Sequence, residues 1–109
     1  MEILTNDRKY LKELKALYKE AFPKEERKPF TFIEKLRKEG KCIIHTAVED
    51  GKFAGLAIIL KDDEYALIDY LAVNPEIRCS GIGSKILDQL KKLYENKCLF
   101  LERETVLNN

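Results

Sequence analysis

The sequence predicts a mixed α/β domain of the α+β kind, in which an antiparallel meander and one βαβ unit share a sheet flanked by helices. Three observations predict it. Apolar residues recur at helical spacing over residues 10–22 and again over 82–94. Three apolar, β-branched runs follow one another between residues 42 and 73, separated by turn residues. A last apolar run at 99–101 follows the second helical stretch, so the strands on either side of that helix are expected to lie parallel.

Taken in order, Ile3-Leu4 is a short first strand. Tyr10, Leu11, Leu14, Leu17, Tyr18, Ala21 and Phe22 form one helical stripe with Lys and Glu between, ended by Pro23. Residues 23–29 are a highly charged connection, and the run from Lys24 to Lys28 reads as solvated. Thr31 and Glu34 make the T-x-x-E capping pattern ahead of Ile33 and Leu36, predicting a second helix that ends near Gly40. Cys42–Val48 and Phe53–Leu60 flank Asp50-Gly51, which predicts a hairpin. After the Asp62-Asp63 turn, Tyr65–Val73 carries few charges on either face, as in a strand covered on both sides, and Asn74-Pro75 ends it. From Gly81 the helical period returns. Ile82, Ile86, Leu87, Leu90, Leu93 and Tyr94 fall on one face, with Lys85, Asp88, Lys91, Lys92 and Glu95 facing away.

The chain has 109 residues, 45% hydrophobic and 36% charged, with no internal repeat or Ser/Gly-rich linker, so residues 1–109 read as one domain. Twenty Lys plus Arg against nineteen Asp plus Glu give a net charge of +1. Long-range attraction to nucleic acid or an anionic membrane is therefore not built in, and neither is expected as a partner. The longest apolar runs fall far short of a bilayer span, and Met1-Glu2-Ile3 does not open a secretory leader. Cys42, Cys79 and Cys98 are odd in number and lack C-x-x-C spacing, which argues for reduced thiols in a cytoplasmic protein rather than disulfides or zinc. With His45 alone there is no multi-histidine metal centre.

The chemistry-bearing stretch is 71–84: Leu71-Ala72-Val73, a loop, then Arg78-Cys79-Ser80-Gly81-Ile82-Gly83-Ser84 entering a helix. A strand, a glycine loop and a helix start make an anion site, because first-turn N–H groups lack internal partners and carry partial positive charge. Gly81 and Gly83 would give a pyrophosphate clearance; Arg78 and the Ser84 hydroxyl would add donors. A helix cap or tight packing explains two glycines equally well. There is no G-x-x-x-x-G-K-[ST], and Ile86 stands where a dinucleotide fingerprint needs its third glycine.

Leu71-Ala72-Val73-x-Pro75-x-x-Arg78-x-x-Gly81-Ile82-Gly83, followed by Lys85-Ile86-Leu87, resembles the acetyl-CoA motif of the GNAT superfamily of N-acyltransferases, Q/R-x-x-G-x-G/A after a strand ending L-A-V. The order of elements along the whole chain is similar to that family's. The resemblance implies an acetyl-CoA-dependent N-acetyltransferase in which acetyl passes directly to a primary amine of a small molecule or peptide. Main-chain groups of Leu71, Ala72 and Val73 would meet the pantetheine arm as an added strand does, and Arg78, Cys79, Ser80, Gly81, Ile82, Gly83 and Ser84 would hold the pyrophosphate. The sequence departs from the family in two ways. Cys79 and Ser80 replace a common glycine and basic residue, and the last helix and two strands of the family's pattern are absent from these 109 residues. The second departure makes a homo-oligomer the expectation, since an uncovered edge would pair with another copy, and it leaves a non-catalytic CoA-binding or interaction module of the same fold as the alternative.

Direct transfer needs a neutral amine, so the candidate catalytic groups are carboxylates near the cofactor strand. Asp69 is an acid in an otherwise apolar strand, where burial tunes a carboxylate's hold on a proton, although pairing with a Lys or Arg is the simpler expectation. Glu104, with Glu102, shares a face of the last strand and would line an acceptor pocket or a solvated edge. Tyr65 and Tyr70 are placed on opposite faces as core filling, Tyr94 as helix packing, and His45 as structural. Cys79, near a helix N-terminus, is a remote candidate for an acyl-cysteine.

Overall fold

Strand order follows chain order. The computed structural model describes residues 1–77 and 81–101. They run β1 (Glu2–Thr5), α1 (Leu11–Ala21), α2 (Phe30–Lys38), β2 (Cys42–Glu49), β3 (Lys52–Lys61), β4 (Tyr65–Val73), α3 (Ile82–Leu93) and β5 (Cys98–Leu101). The sheet is β1-β2-β3-β4-β5. Its first three junctions are antiparallel and β4–β5 is parallel, as the crossover through α3 requires.

Both faces are covered, which is why β3 and β4 read as apolar runs rather than as alternation. On one face Leu14, Tyr18 and Phe22 of the α1 segment and Ile33 of α2 pack on Ile44, Leu56, Ile58, Tyr70 and Ala72. On the other, Ile82, Ile86 and Leu90 of α3 and the following Tyr94 pack on Ala57, Ile59, Ala66, Ile68, Leu71 and Val73. Among the described residues no helix is long and apolar enough to cross a membrane.

The turn chemistry behaves as the residues dictate. Asp50 and Gly51 both take positive φ (51° and 74°), the pair that a two-residue hairpin turn with matching twist requires. Gly40, at φ 76°, closes α2: the Gly40 N–H bonds to the Arg37 carbonyl and the Lys41 N–H to the Leu36 carbonyl, satisfying two end carbonyls.

Three expectations are corrected. Thr31 does not cap α2, because the helix starts at Phe30 behind Pro29, whose carbonyl takes the Phe32 and Ile33 N–H groups and leaves Thr31 inside the first turn. Glu34 bonds instead to Arg8 at 2.7 Å and Arg37 at 3.2 Å. Leu93 is exposed rather than core, since Ile86, Leu90 and Tyr94, four apart, already fill the inner face of the α3 segment. Tyr65 and Tyr70 share a face. Ile58 pairs with Tyr70 and Ile59 with Ile68, so Asp69 is an extra residue in β4 with no counterpart in β3. The bulge reverses the parity of the strand: Ala66 and Ile68 face α3 before it, Leu71 and Val73 after it. Tyr65 thus lies on the α1/α2 side beyond the helices, 45% exposed, against the ring of Phe100.

Candidate functional site

The candidate site begins where the parallel ladder stops. Tyr65–Ile68 pair with Cys98–Leu101, whereas β3 stays paired with β4 as far as Val73. From Asp69 to Val73, therefore, the described residues give β4 a neighbouring strand on one side only. The side chains there are committed to the core: Leu71 and Ala72 have no measurable exposure and Val73 is also buried. What this stretch offers along its second edge is backbone N–H and C=O, the groups that recognise an extended amide-bearing ligand by strand addition.

The loop that leaves β4 is anchored by Asn74. Its side-chain amide donates to the Phe53 carbonyl at 2.9 Å, its N–H donates to the Ala54 carbonyl, and its carboxamide oxygen accepts the Glu76 N–H. Asparagine before proline at a strand end is a turn signal, and these bonds are how it acts here. The backbone then reaches Gly81, the N-cap of α3, which has φ 86° and no side-chain cap. A Cβ on Gly81 would meet none of the described residues within 4 Å. The left-handed backbone at Gly81 favours glycine, and among the described residues the space in front of it is open. Ile82 and Gly83 are buried in the first turn of α3 and Ser84 is exposed. Arg78, Cys79, Ser80 and Glu104, with Glu102, lie outside the described residues.

These features fit an acyl-CoA. A strand edge carrying only main-chain groups leads, through a left-handed glycine, to the positive end of a 12-residue helix, the arrangement that holds an extended amide arm and a pyrophosphate in sequence.

Gly55 brings the layers close on this side. A Cβ there would lie 2.5 Å from the Ala72 carbonyl oxygen and 3.0 Å from Ile86 Cδ1, so β3 accepts no side chain where α3 crosses it.

Asp69 sits on the α1/α2 face of the bulge, 4% exposed, with Oδ2 2.6 Å from Lys28 Nζ. Nothing in the charged run from Lys24 to Lys28 distinguishes Lys28, yet in the fold it is not simply solvated: its backbone is pinned to Tyr70 of the sheet and Tyr18 of α1. Its N–H donates to the Tyr70 hydroxyl at 2.9 Å and its carbonyl accepts from the Tyr18 hydroxyl at 2.5 Å. The ammonium also stands 5.4 Å from the centre of the Tyr70 ring. Burial, then the neighbouring Tyr70, pushes the Tyr18 hydroxyl far up, and burial with the charge of Asp69 pushes the Cys42 thiol up to about 12. Both stay protonated at neutral pH.

His45 is buried, with Nε2 2.6 Å from the Tyr94 hydroxyl and Nδ1 3.2 Å from the Thr5 hydroxyl, and it stands on the α3 side, away from Asp69. A groove of about 600 Å³ runs between α1 and the 74–77 loop, lined by Glu13, Glu20 and Glu76 with Lys52; Asp69 is not part of it.

Residues 10–109 match the model of the Acetyltransferase (GNAT) family. A protein of Bacillus subtilis (strain 168), YjbC, whose name describes it as a candidate acetyltransferase, is 37% identical over 87 residues, covering 80% of this chain and 43% of its own length. A candidate acetyltransferase of the GNAT family from Bacteroides thetaiotaomicron superposes with a TM-score of 0.78 at 22% identity, over 93% of this chain and 59% of that one. A candidate acetyltransferase of Clostridium acetobutylicum, solved with acetyl-CoA, superposes with a TM-score of 0.64 at 17% identity, over 93% and 79% of the two chains. The chain thus spans less than two thirds of the length of the first two.

Proposed function

The chain belongs to the acetyltransferase (GNAT) family, and from that premise we propose that it transfers acetyl from acetyl-CoA to a primary amine by direct attack. The observation that carries the reading is the Asp69–Val73 edge of β4, which has no partner strand on its β5 side among the described residues and leads through Gly81 to the N-terminus of α3. In this proposal the main chain of Leu71, Ala72 and Val73 aligns the pantetheine arm. The backbone from Cys79 to Ser84, with Arg78, takes the pyrophosphate, including the first-turn groups of Ile82 and Gly83. Acetyl-CoA supplies the activated acyl group. Asp69 receives the acceptor's ammonium and takes one proton from it, the neutral amine attacks the thioester carbonyl, and as the C–S bond breaks the second amine proton goes to the departing CoA thiolate; Glu104 is the second carboxylate offered to the acceptor. A location in the cytoplasm and self-association through the β5 edge complete the proposal; Phe100 and Leu101 are each 51% exposed there.

Calorimetric titration with acetyl-CoA tests the cofactor half: saturable binding is expected, and absence of heat from folded protein at millimolar cofactor rejects it. A CoA-binding module without turnover is the second reading. Binding without acetylation across small amines and lysine peptides would establish it. Light scattering over a concentration series tests self-association, and a monomeric mass throughout rejects it.

A further inference from the structure

We propose that the Lys28 ammonium occupies the place of the acceptor's own ammonium on Asp69 and is exchanged for it, so that Lys28 restricts the site to cationic primary amines. This deepens the transferase reading and rests on it.

The geometry has the parts of an ammonium site. A carboxylate sits at the strand bulge, its side chain 6% exposed, with a cation at 2.6 Å and an aromatic face 5.4 Å from that cation. The Lys28 side chain is 34% exposed, so the pair is reached from solvent on the lysine's side. The Lys28 backbone is held at both its N–H and its C=O by the Tyr70 and Tyr18 hydroxyls. Withdrawal of the ammonium therefore needs rotation of a four-carbon stem and no movement of the loop. The position is also the one an acceptor needs, because Asp69 opens the stretch of β4 that extends past the ladder with β5.

Exchange energetics supply the selectivity. Replacing one ammonium by another on the same carboxylate keeps the buried charge paired, whereas a neutral ligand would strand it. A primary ammonium also matches the compact group it displaces; a quaternary one has no N–H to give the carboxylate.

The test uses ethylammonium chloride as probe and follows the Asp69 side-chain carboxyl by 13C NMR, with tetramethylammonium and sodium chloride at matched ionic strength. Saturable shifts are expected with ethylammonium alone. The midpoint should be about tenfold lower in Lys28→Met, which vacates the carboxylate, and about tenfold higher in Lys28→Arg, whose fork holds it more firmly. In the Lys28→Met, Asp69→Asn double variant, ethylammonium should raise Tm no more than sodium does. Equal midpoints in wild type and Lys28→Arg, or equal shifts with tetramethylammonium, would overturn the proposal even if Lys28→Met fails to fold. Acetyl-CoA calorimetry on wild type is run in parallel. Its failure rejects the transferase reading, while the ammonium titration reads Lys28 by itself.

Discussion

His45 Nε2 and the Tyr94 hydroxyl lie 2.6 Å apart, a bond that ties the residue capping the C-terminus of α3 to the middle of β2. Burial holds the His45 imidazole down at about 4, against a smaller upward effect of the Leu4 backbone. In the unfolded chain the same ring takes up its proton near its ordinary 6.5, so protons favour unfolding. Stability is accordingly full above pH 6.5 and falls as pH drops toward 4, by about 3 kcal/mol for this one group. Urea unfolding at pH 7.5 and 5.0 checks it: His45→Gln should flatten the difference, and an unchanged difference would show that other groups titrate in this window.

Gly55 predicts a packing cost. Ala at this position must push back the Ala72 carbonyl and Ile86, and overpacking of this kind costs about 1–3 kcal/mol. Denaturant melts of Gly55→Ala should register that loss. The same variant should weaken acetyl-CoA binding, because both displaced groups belong to β4 and α3.

For Gly81 the comparison of two variants separates strain from charge. Either Asn or Glu must adopt φ 86°, and Asn tolerates it better, so Gly81→Asn should lose under about 1 kcal/mol and Gly81→Glu about 1–2 kcal/mol of stability. Neither side chain meets atoms of the described residues at Cβ. Acetyl-CoA affinity should fall in Gly81→Glu well beyond the difference in stability, as the added carboxylate faces the phosphates. Equal affinities in the two folded variants would place the pyrophosphate elsewhere.

Asp69→Asn isolates the carboxylate from its shape. The lysine left behind is 34% exposed and reaches solvent, so loss of the carboxylate costs about 1–3 kcal/mol; a lower Tm is expected, and Lys28→Met in the same chain should restore most of it. Acetyl-CoA binding in the double variant should stay within about twofold of wild type, whereas acetylation of a cationic amine should drop by about a hundredfold or more. Full activity in the double variant would remove Asp69 from the acceptor site.

Much of this fold was legible because local rules and tertiary demands agree. The Asp50-Gly51 turn, the stripe from Leu14 to Phe22 and the stripe from Ile82 to Leu90 each point to the structure they form. The glycine pair after Leu71-Ala72-Val73 likewise pointed to the β4–α3 junction. The failures share one cause, a partner remote in sequence. Glu34 satisfies the T-x-x-E pattern but is taken by Arg8, 26 residues away. Lys28 is one of several charges between two prolines, and only the approach of Tyr18 and Tyr70 singles it out. Period-two counting puts Tyr65 and Tyr70 on opposite faces because it assumes an unbroken strand, and an inserted residue leaves no mark in composition.

The inserted residue in β4 also marks the point at which this strand can be shortened without turning a side chain over. Deleting the single codon for Asp69 would give a regular ladder with β3, because Ile59–Ile68 and Ile58–Tyr70 would become consecutive pairs, and both halves of the strand would keep their present faces. Leu71 and Val73 would stay with Ala66 and Ile68 on the α3 layer, and Tyr70 and Ala72 on the α1/α2 layer, so both packings would survive and only the carboxylate would be lost. Loss of the irregularity in one step is therefore open to a lineage that has no use for that carboxylate.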